Sequence, residues 1–223
     1  MAVRAAVLDP LAKPRLRGVS HQWAFFGSLV SGIVLVVIAP SGKATLAALI
    51  YSFSVAGLFG VSALYHRVNW QSAEARKRMR RLDHTMIFVL IAGTYTPFAM
   101  LALTKPLSTI LLIVVWGGAL LGAVLKLVWI DAPKWLIAGV YIAVGWVAIA
   151  AMPQMLDHVG VLPTVLVGIG GVLYTAGAVI YARQKPNPVP GVFGYHEIFH
   201  ALVIAAAVVH YAVVAGWVLP HAA

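Results

Sequence analysis

Toward its C-terminal end the chain reads Tyr195-His196-Glu197-Ile198-Phe199-His200. Two histidines four apart share one face of a helix, which is how a helix offers two imidazoles to one metal ion. The run that follows, from Ala201 to Leu219, is long enough to cross a bilayer. An ionisable pair at the mouth of a membrane span marks a candidate functional site. Two further polar islands border apolar runs: Ser62-Ala63-Leu64-Tyr65-His66-Arg67 closes one, and Leu82-Asp83-His84 opens another. His66, His196 and His200 would supply three neutral imidazoles. With no thiolate among them, that set suits Zn2+. Three protein ligands leave the fourth tetrahedral position open, which separates catalytic from structural zinc. Zinc so held brings the pKa of water toward about 7. Asp83 has the chemistry to accept the proton released, and Ser62 can donate a hydrogen bond to a carbonyl or an oxyanion.

Each feature also has a plainer reading. A histidine pair at the end of a span is common interfacial polarity. Ser62 by itself reads as a helix-packing residue that bonds back to its own helix. Asp83 by itself reads as an acid favouring the positive end of a helix dipole, a role that Glu197 also fits. Only their convergence at one depth favours a metal site, and other divalent ions that imidazole tolerates stay open.

The elements that must position these residues follow from composition. Of 223 residues, 62% are hydrophobic and 10% charged. Globular domains carry about a quarter charged residues, so this is an all-α, polytopic membrane protein. Apolar runs at 23–40, 44–66, 83–103, 107–129, 134–152, 162–182 and 196–219 are each near the roughly 20 residues that a spanning helix needs. The expectation is a seven-transmembrane helix bundle forming a single membrane domain over 23–219, preceded by a basic segment over 1–22. That segment lacks the apolar core and cleavage site of a secretory signal, so the first span is expected to act as an uncleaved anchor. The absence of cysteine excludes disulfides, thiolate metal sites and a cysteine nucleophile.

The net charge of +10 is distributed unevenly. With the N-terminus in the cytoplasm, 14 of the 16 Lys and Arg fall inside, and only Lys43 and Lys105 fall outside. This follows the positive-inside rule and leaves the C-terminus outside. The cluster Arg76–Arg81 fixes topology and touches anionic lipid headgroups. Without interleaved aromatics it does not read as a nucleic-acid surface.

The same topology brings His66, Asp83, His196 and His200 to the cytoplasmic side, with Ser62 and His200 one turn deeper than His66 and His196. Because it rests on lysine and arginine alone, the convergence is independent support for one site, open to water and to membrane lipid. The remaining histidines sort differently. His21, His158 and His221 read as solvated. His210 lies about 15 Å deeper than His200 and is expected to bond a neighbouring helix. His84 points about 100° away from Asp83 and is left outside the ligand set. Gly118 and Gly122, with the glycines at 168, 170, 171 and 177, read as close helix contacts. Pro97 should kink the third span, with Tyr95 and Thr96 serving freed backbone groups or lining a cavity.

Taken in order, Ser62-x-x-x-His66, Leu82-Asp83-His84 leading into Ile91-Ala92-Gly93-Thr94-Tyr95-Thr96-Pro97, and His196-x-x-x-His200 followed by His210-Tyr211 closely resemble the haemolysin III family. That family sits with the progestin and adipoQ receptors, which include the adiponectin receptors, and with the alkaline ceramidases. The resemblance runs from the second span to the seventh, with no departure at the five site positions. It implies seven helices with a cytoplasmic N-terminus and zinc on His66, His196 and His200, with Asp83 and Ser62 as the acid and serine of the motif. The short loops and tails imply a compact prokaryotic member, hence a multi-pass protein of the bacterial inner membrane. The activity implied is hydrolysis of a lipid amide or ester bond, ceramide-like by analogy. Two alternatives stand beside it: a non-enzymatic membrane sensor with structural zinc, and a pore-forming cytolysin, which the lack of a secretion signal speaks against.

Overall fold

A computed structural model describes residues 13–222. Arg4 and most of the basic N-terminal segment lie outside the described residues. Among the described residues, seven helical segments are long and apolar enough to cross a membrane: Val19–Val37, Gly42–Arg67, Ala73–Ala102, Leu107–Val128, Lys134–Val159, Val161–Arg183 and Tyr195–Ala222. No strand interrupts them among the described residues. The outward faces carry large apolar side chains such as Trp23, Val30, Ile33, Phe53, Leu121 and Val128, the pattern of a surface bathed in lipid.

Within these spans the regular helices are α1 (Val19–Val37), α2 (Gly42–Arg67), α3 (Ala73–Pro97), α4 (Leu107–Val128), α5 (Lys134–Gly145), α6 (Met152–Val159), α7 (Val161–Arg183) and α8 (Tyr195–Val213). Local chemistry sets several of the boundaries. Ser41 and Ser72 cap α2 and α3 by accepting hydrogen bonds from Ala44 N and Ala75 N, at 3.2 and 3.3 Å. Helix α3 therefore starts ten residues before its apolar run, and its charged first turns stand clear of the apolar zone. Pro97 closes α3 and the chain passes into a π-helical turn over Phe98–Ala102, because a prolyl ring cannot continue the hydrogen-bond ladder. Thr96 Oγ1 donates to Ala92 O at 2.9 Å beside this break.

The fifth span is broken as well. Between α5 and α6 it tightens into a 3-10 stretch over Trp146–Ala151. Tyr95 serves this neighbouring break rather than its own helix: its hydroxyl donates to Gly145 O and accepts from Ala148 N. Backbone groups freed at membrane depth need such partners, since no bulk water is present to satisfy them.

Helices α1, α2, α3, α5, α7 and α8 follow one another around a ring, with α4 packed outside α3. Gly122 lets α4 approach, because a Cβ there would fall on the Phe88 ring of α3, a fully buried side chain. Gly170 does the same for His210 of α8, whereas Gly168 meets nothing. Gly122→Leu is expected to cost about 1–3 kcal/mol of stability through overpacking. Gly139→Leu, in open space on α5, should leave the melting temperature in detergent almost unchanged. An equal loss in both would remove the close-contact role of Gly122.

Candidate metal centre

Successive spans run antiparallel, so α1, α3, α5 and α8 begin at one end of the ring, and α2, α4 and α7 finish there. This is the basic end: all described Lys and Arg except Lys43 and Lys105 gather at it. His66 arrives on the last turn of α2 and His196 on the first turn of α8. His200 lies one turn further into α8. One ligand atom from each of His66, His196 and His200 lies within 4.8 Å of the others.

The start of α8 is held firmly. Glu197, buried, accepts from Gly194 N at 2.8 Å through Oε2 and pairs with Arg17 through Oε1. Its expected place at the positive end of a helix is thus observed. Asn187 Oδ1 accepts from Tyr195 N at 3.0 Å, so the proline-rich return loop fixes the same turn.

The donor chemistry fits a divalent cation. His66 Nε2 and His196 Nε2 face each other at 3.2 Å, close to the about 3.3 Å that separates two tetrahedral nitrogen ligands at zinc bond lengths. His200 Nδ1 is buried with no hydrogen-bond partner. A buried polar atom left unpaired is costly, and a bound ion at this cluster gives such imidazoles a role. Asp83 Oδ2 lies 3.9 Å from His66 Nε2. Asp83 sits well inside α3 rather than on its first turn, which removes the helix-dipole reading of this residue. The Ser62 side chain is adjacent to Asp83, and both line a narrow slot of ≈ 100 Å³ together with His196 and His200. The rest of the slot is mostly apolar and reaches Trp146 and Tyr174 in the middle of the bundle.

Of the histidines set aside, His84 has both ring nitrogens engaged, Nδ1 with Arg80 O at 2.7 Å and Nε2 with Tyr181 OH at 3.2 Å. His210 Nε2 meets Val167 O of α7 at 3.3 Å, the expected bond to a neighbouring helix. His158 and His221 are exposed.

His21 differs from expectation. It is not solvated: it is 2% exposed. Its ring stacks on His200 with centroids 3.7 Å apart and planes 9° apart. The reason is that α1 starts at Val19, so its polar first turn packs into the ring instead of preceding the span. His21 thereby helps to fix the plane of the His200 imidazole. Gly18, just before α1, has φ +79°, and a Cβ there would stand 2.5 Å from His66 Cβ. Gly18→Val should cost about 1–3 kcal/mol in backbone strain alone and should also displace His66. Thermal melting and metal titration of the variant would read the two effects separately. Unchanged metal affinity would mean that Gly18 does not position His66. The signal for both residues was present in Arg17-Gly18-x-x-His21, because the charge asymmetry already placed this turn at the basic end.

A wide vestibule of ≈ 1140 Å³ opens above the three histidines at the basic end. Arg80 Nη2 donates to Asp131 Oδ1 at 2.8 Å across it, and the Arg80 guanidinium holds the Asp131 carboxyl below the usual carboxylate range. Lys126, 2% exposed, donates to Ile130 O at 3.0 Å.

The family model described as Haemolysin-III related matches residues 10–211. Hemolysin-3 of Bacillus cereus is 30% identical over 207 residues, covering 92% of this chain and 91% of that protein. The Hemolysin-3 homolog of Bacillus subtilis (strain 168) is 32% identical over 158 residues, 71% and 70% of the two chains. The Adiponectin receptor protein of Drosophila melanogaster is 31% identical over 170 residues, 68% of this chain and 38% of the receptor. With seven apolar spans and a family match over nearly its whole length, the chain is a multi-pass integral membrane protein that belongs to the haemolysin III-related family.

Proposed function

We propose that the protein is a metal-dependent hydrolase of lipid amide or ester bonds, with zinc on His66, His196 and His200 and with the basic end facing the cytoplasm of a bacterial inner membrane. The observation that supports this best is the convergence of three imidazoles beside a buried carboxylate, at the junction of a charged vestibule and an apolar slot. When bound, zinc supplies the Lewis acidity that lets water lose a proton near neutral pH. Asp83 accepts that proton and returns it to the leaving group. Ser62 donates a hydrogen bond to the carbonyl oxygen as charge develops on it. The slot walls, among them Leu58, Ile87, Ile91, Phe199 and Val203, seat a hydrocarbon chain and exclude bulk water. A ceramide-like substrate follows by analogy with the alkaline ceramidases.

The test is to purify the protein, measure its metal, and follow lipid hydrolysis with and without His200→Ala. One equivalent of zinc with no turnover on any lipid class would sink the enzymatic reading. A second reading, a sensor with structural metal, is favoured by one observation: the ligands come from α2, which packs mainly on α1 and α3, and from α8, which packs mainly on α7, rather than from helices packed on each other. There the metal would act as a staple, and its removal would lower the melting temperature while no product forms. Dye leakage from liposomes that persists in His200→Ala would instead support the lytic activity named for the bacterial relatives.

A further inference from the structure

The vestibule is lined by six cations: Arg17, Arg76, Lys77, Arg80, Lys126 and Lys134. Against them it presents two carboxylates, Asp83 and Asp131. Arg17 is paired with Glu197 and Arg80 with Asp131. Arg76, Lys77, Lys126 and Lys134 have no carboxylate partner among the described residues. Lys134 is held by the Tyr195 hydroxyl at 3.1 Å and lies 5.4 Å from the Tyr181 ring. Lys126 is buried against a carbonyl alone. A buried ammonium with no ion-paired carboxylate is costly, a cost that an anion bound from outside the chain would offset.

The vestibule and the apolar slot meet at four shared residues: Asp83, His84, Tyr181 and His196. The three-histidine cluster lies at that junction. A ligand matching both compartments carries anionic charge at one end and a hydrocarbon at the other. The slot is narrow and suits one chain rather than the paired chains of a diacyl lipid. Four cations without a paired carboxylate, against the one remaining carboxylate of Asp83, exceed what a ligand carboxylate neutralises and suit a phosphate, which carries about −1.5 to −2 near neutral pH.

We propose that the vestibule is a headgroup site for a single-chain, phosphate-bearing amphiphile, whose chain enters the slot past the three histidines. As a substrate class this rests on the hydrolase reading above, and it replaces a neutral ceramide-like lipid with an anionic one. The headgroup site itself is a matter of binding.

The test uses the full chain in a neutral detergent, with binding followed by thermal shift or by a competed fluorescent chain. Dodecyl phosphate, dodecyl glucoside and inorganic phosphate are the probes. Dodecyl phosphate is expected to bind at least about tenfold more tightly than dodecyl glucoside, with the advantage shrinking as salt screens the cations. The double variant Arg76→Gln/Lys77→Gln alters exposed side chains and should keep the melting temperature. With Lys134→Gln as a separate variant, each should lower the preference severalfold. Equal binding of the two amphiphiles, or a preference that survives both variants, would overturn the headgroup site. Inorganic phosphate binding as tightly as dodecyl phosphate would overturn the amphiphile. Because turnover is not read, failure of the hydrolase reading leaves these outcomes intact.

Discussion

His200→Ala is expected to strip the protein of its metal. Two imidazoles would remain, His66 and His196, against the three whose ligand atoms now cluster within 4.8 Å. Loss of a residue that merely supports a ligand costs about 10–100-fold in metal affinity, and loss of a ligand itself should exceed that. Metal content after purification should fall from about one equivalent to a trace. The chelator-sensitive part of thermal stability should vanish with it. At a metal concentration a hundred times Kd, that part is about 2.7 kcal/mol. His84→Ala is the matched control. It stands beside Asp83, yet both of its ring nitrogens are engaged elsewhere, so its metal content should hold. Retention of a full equivalent in His200→Ala would dismiss the three-histidine centre.

Asp83→Asn should have the opposite signature: metal kept, turnover lost. The carboxylate lies 3.9 Å from His66 Nε2 and lines the slot, and on the proposed mechanism it takes up the proton rather than the ion. General acid–base groups contribute about 10²–10⁴-fold, and the amide cannot take up a proton in their place. The fall should therefore appear in kcat with the melting temperature nearly unchanged. Metal loss that parallels the activity loss would instead make Asp83 a ligand or a support for one. Full activity in the variant would remove it from the reaction.

Much of this architecture was legible in the sequence. Seven apolar runs appear as seven spanning segments, because in lipid only closed hydrogen-bond ladders survive and length alone nearly defines them. Lysine and arginine placement brought His66, His196, His200, Asp83 and Ser62 to one end before any distance was known. What hydropathy did not show was where helices exceed their apolar runs. Helix α1 begins four residues before the first run because its first turn carries His21, which is buried against Phe59 and His200. Helix α3 begins at Ala73 because Ser72 caps it, although its first turns are charged. In both cases packing and capping, not transfer into hydrocarbon, set the boundary. The burial of Lys126 was hidden for a related reason: a cation near a span end reads as a loop charge until the loop folds back over it.

The spacing of the ligands along the chain has a consequence for biogenesis. His66 leaves the ribosome early, whereas His196 lies 130 residues later and His200 later still. A nascent chain with six spans inserted offers one of the three proposed ligands, His66, too few to retain an ion. On the proposed metal centre, loading must therefore follow docking of the final span, and a loaded ion would report a chain that has been translated and assembled through its last helix. Chains stalled or clipped before α8 would stay metal-free however much metal the cell supplies.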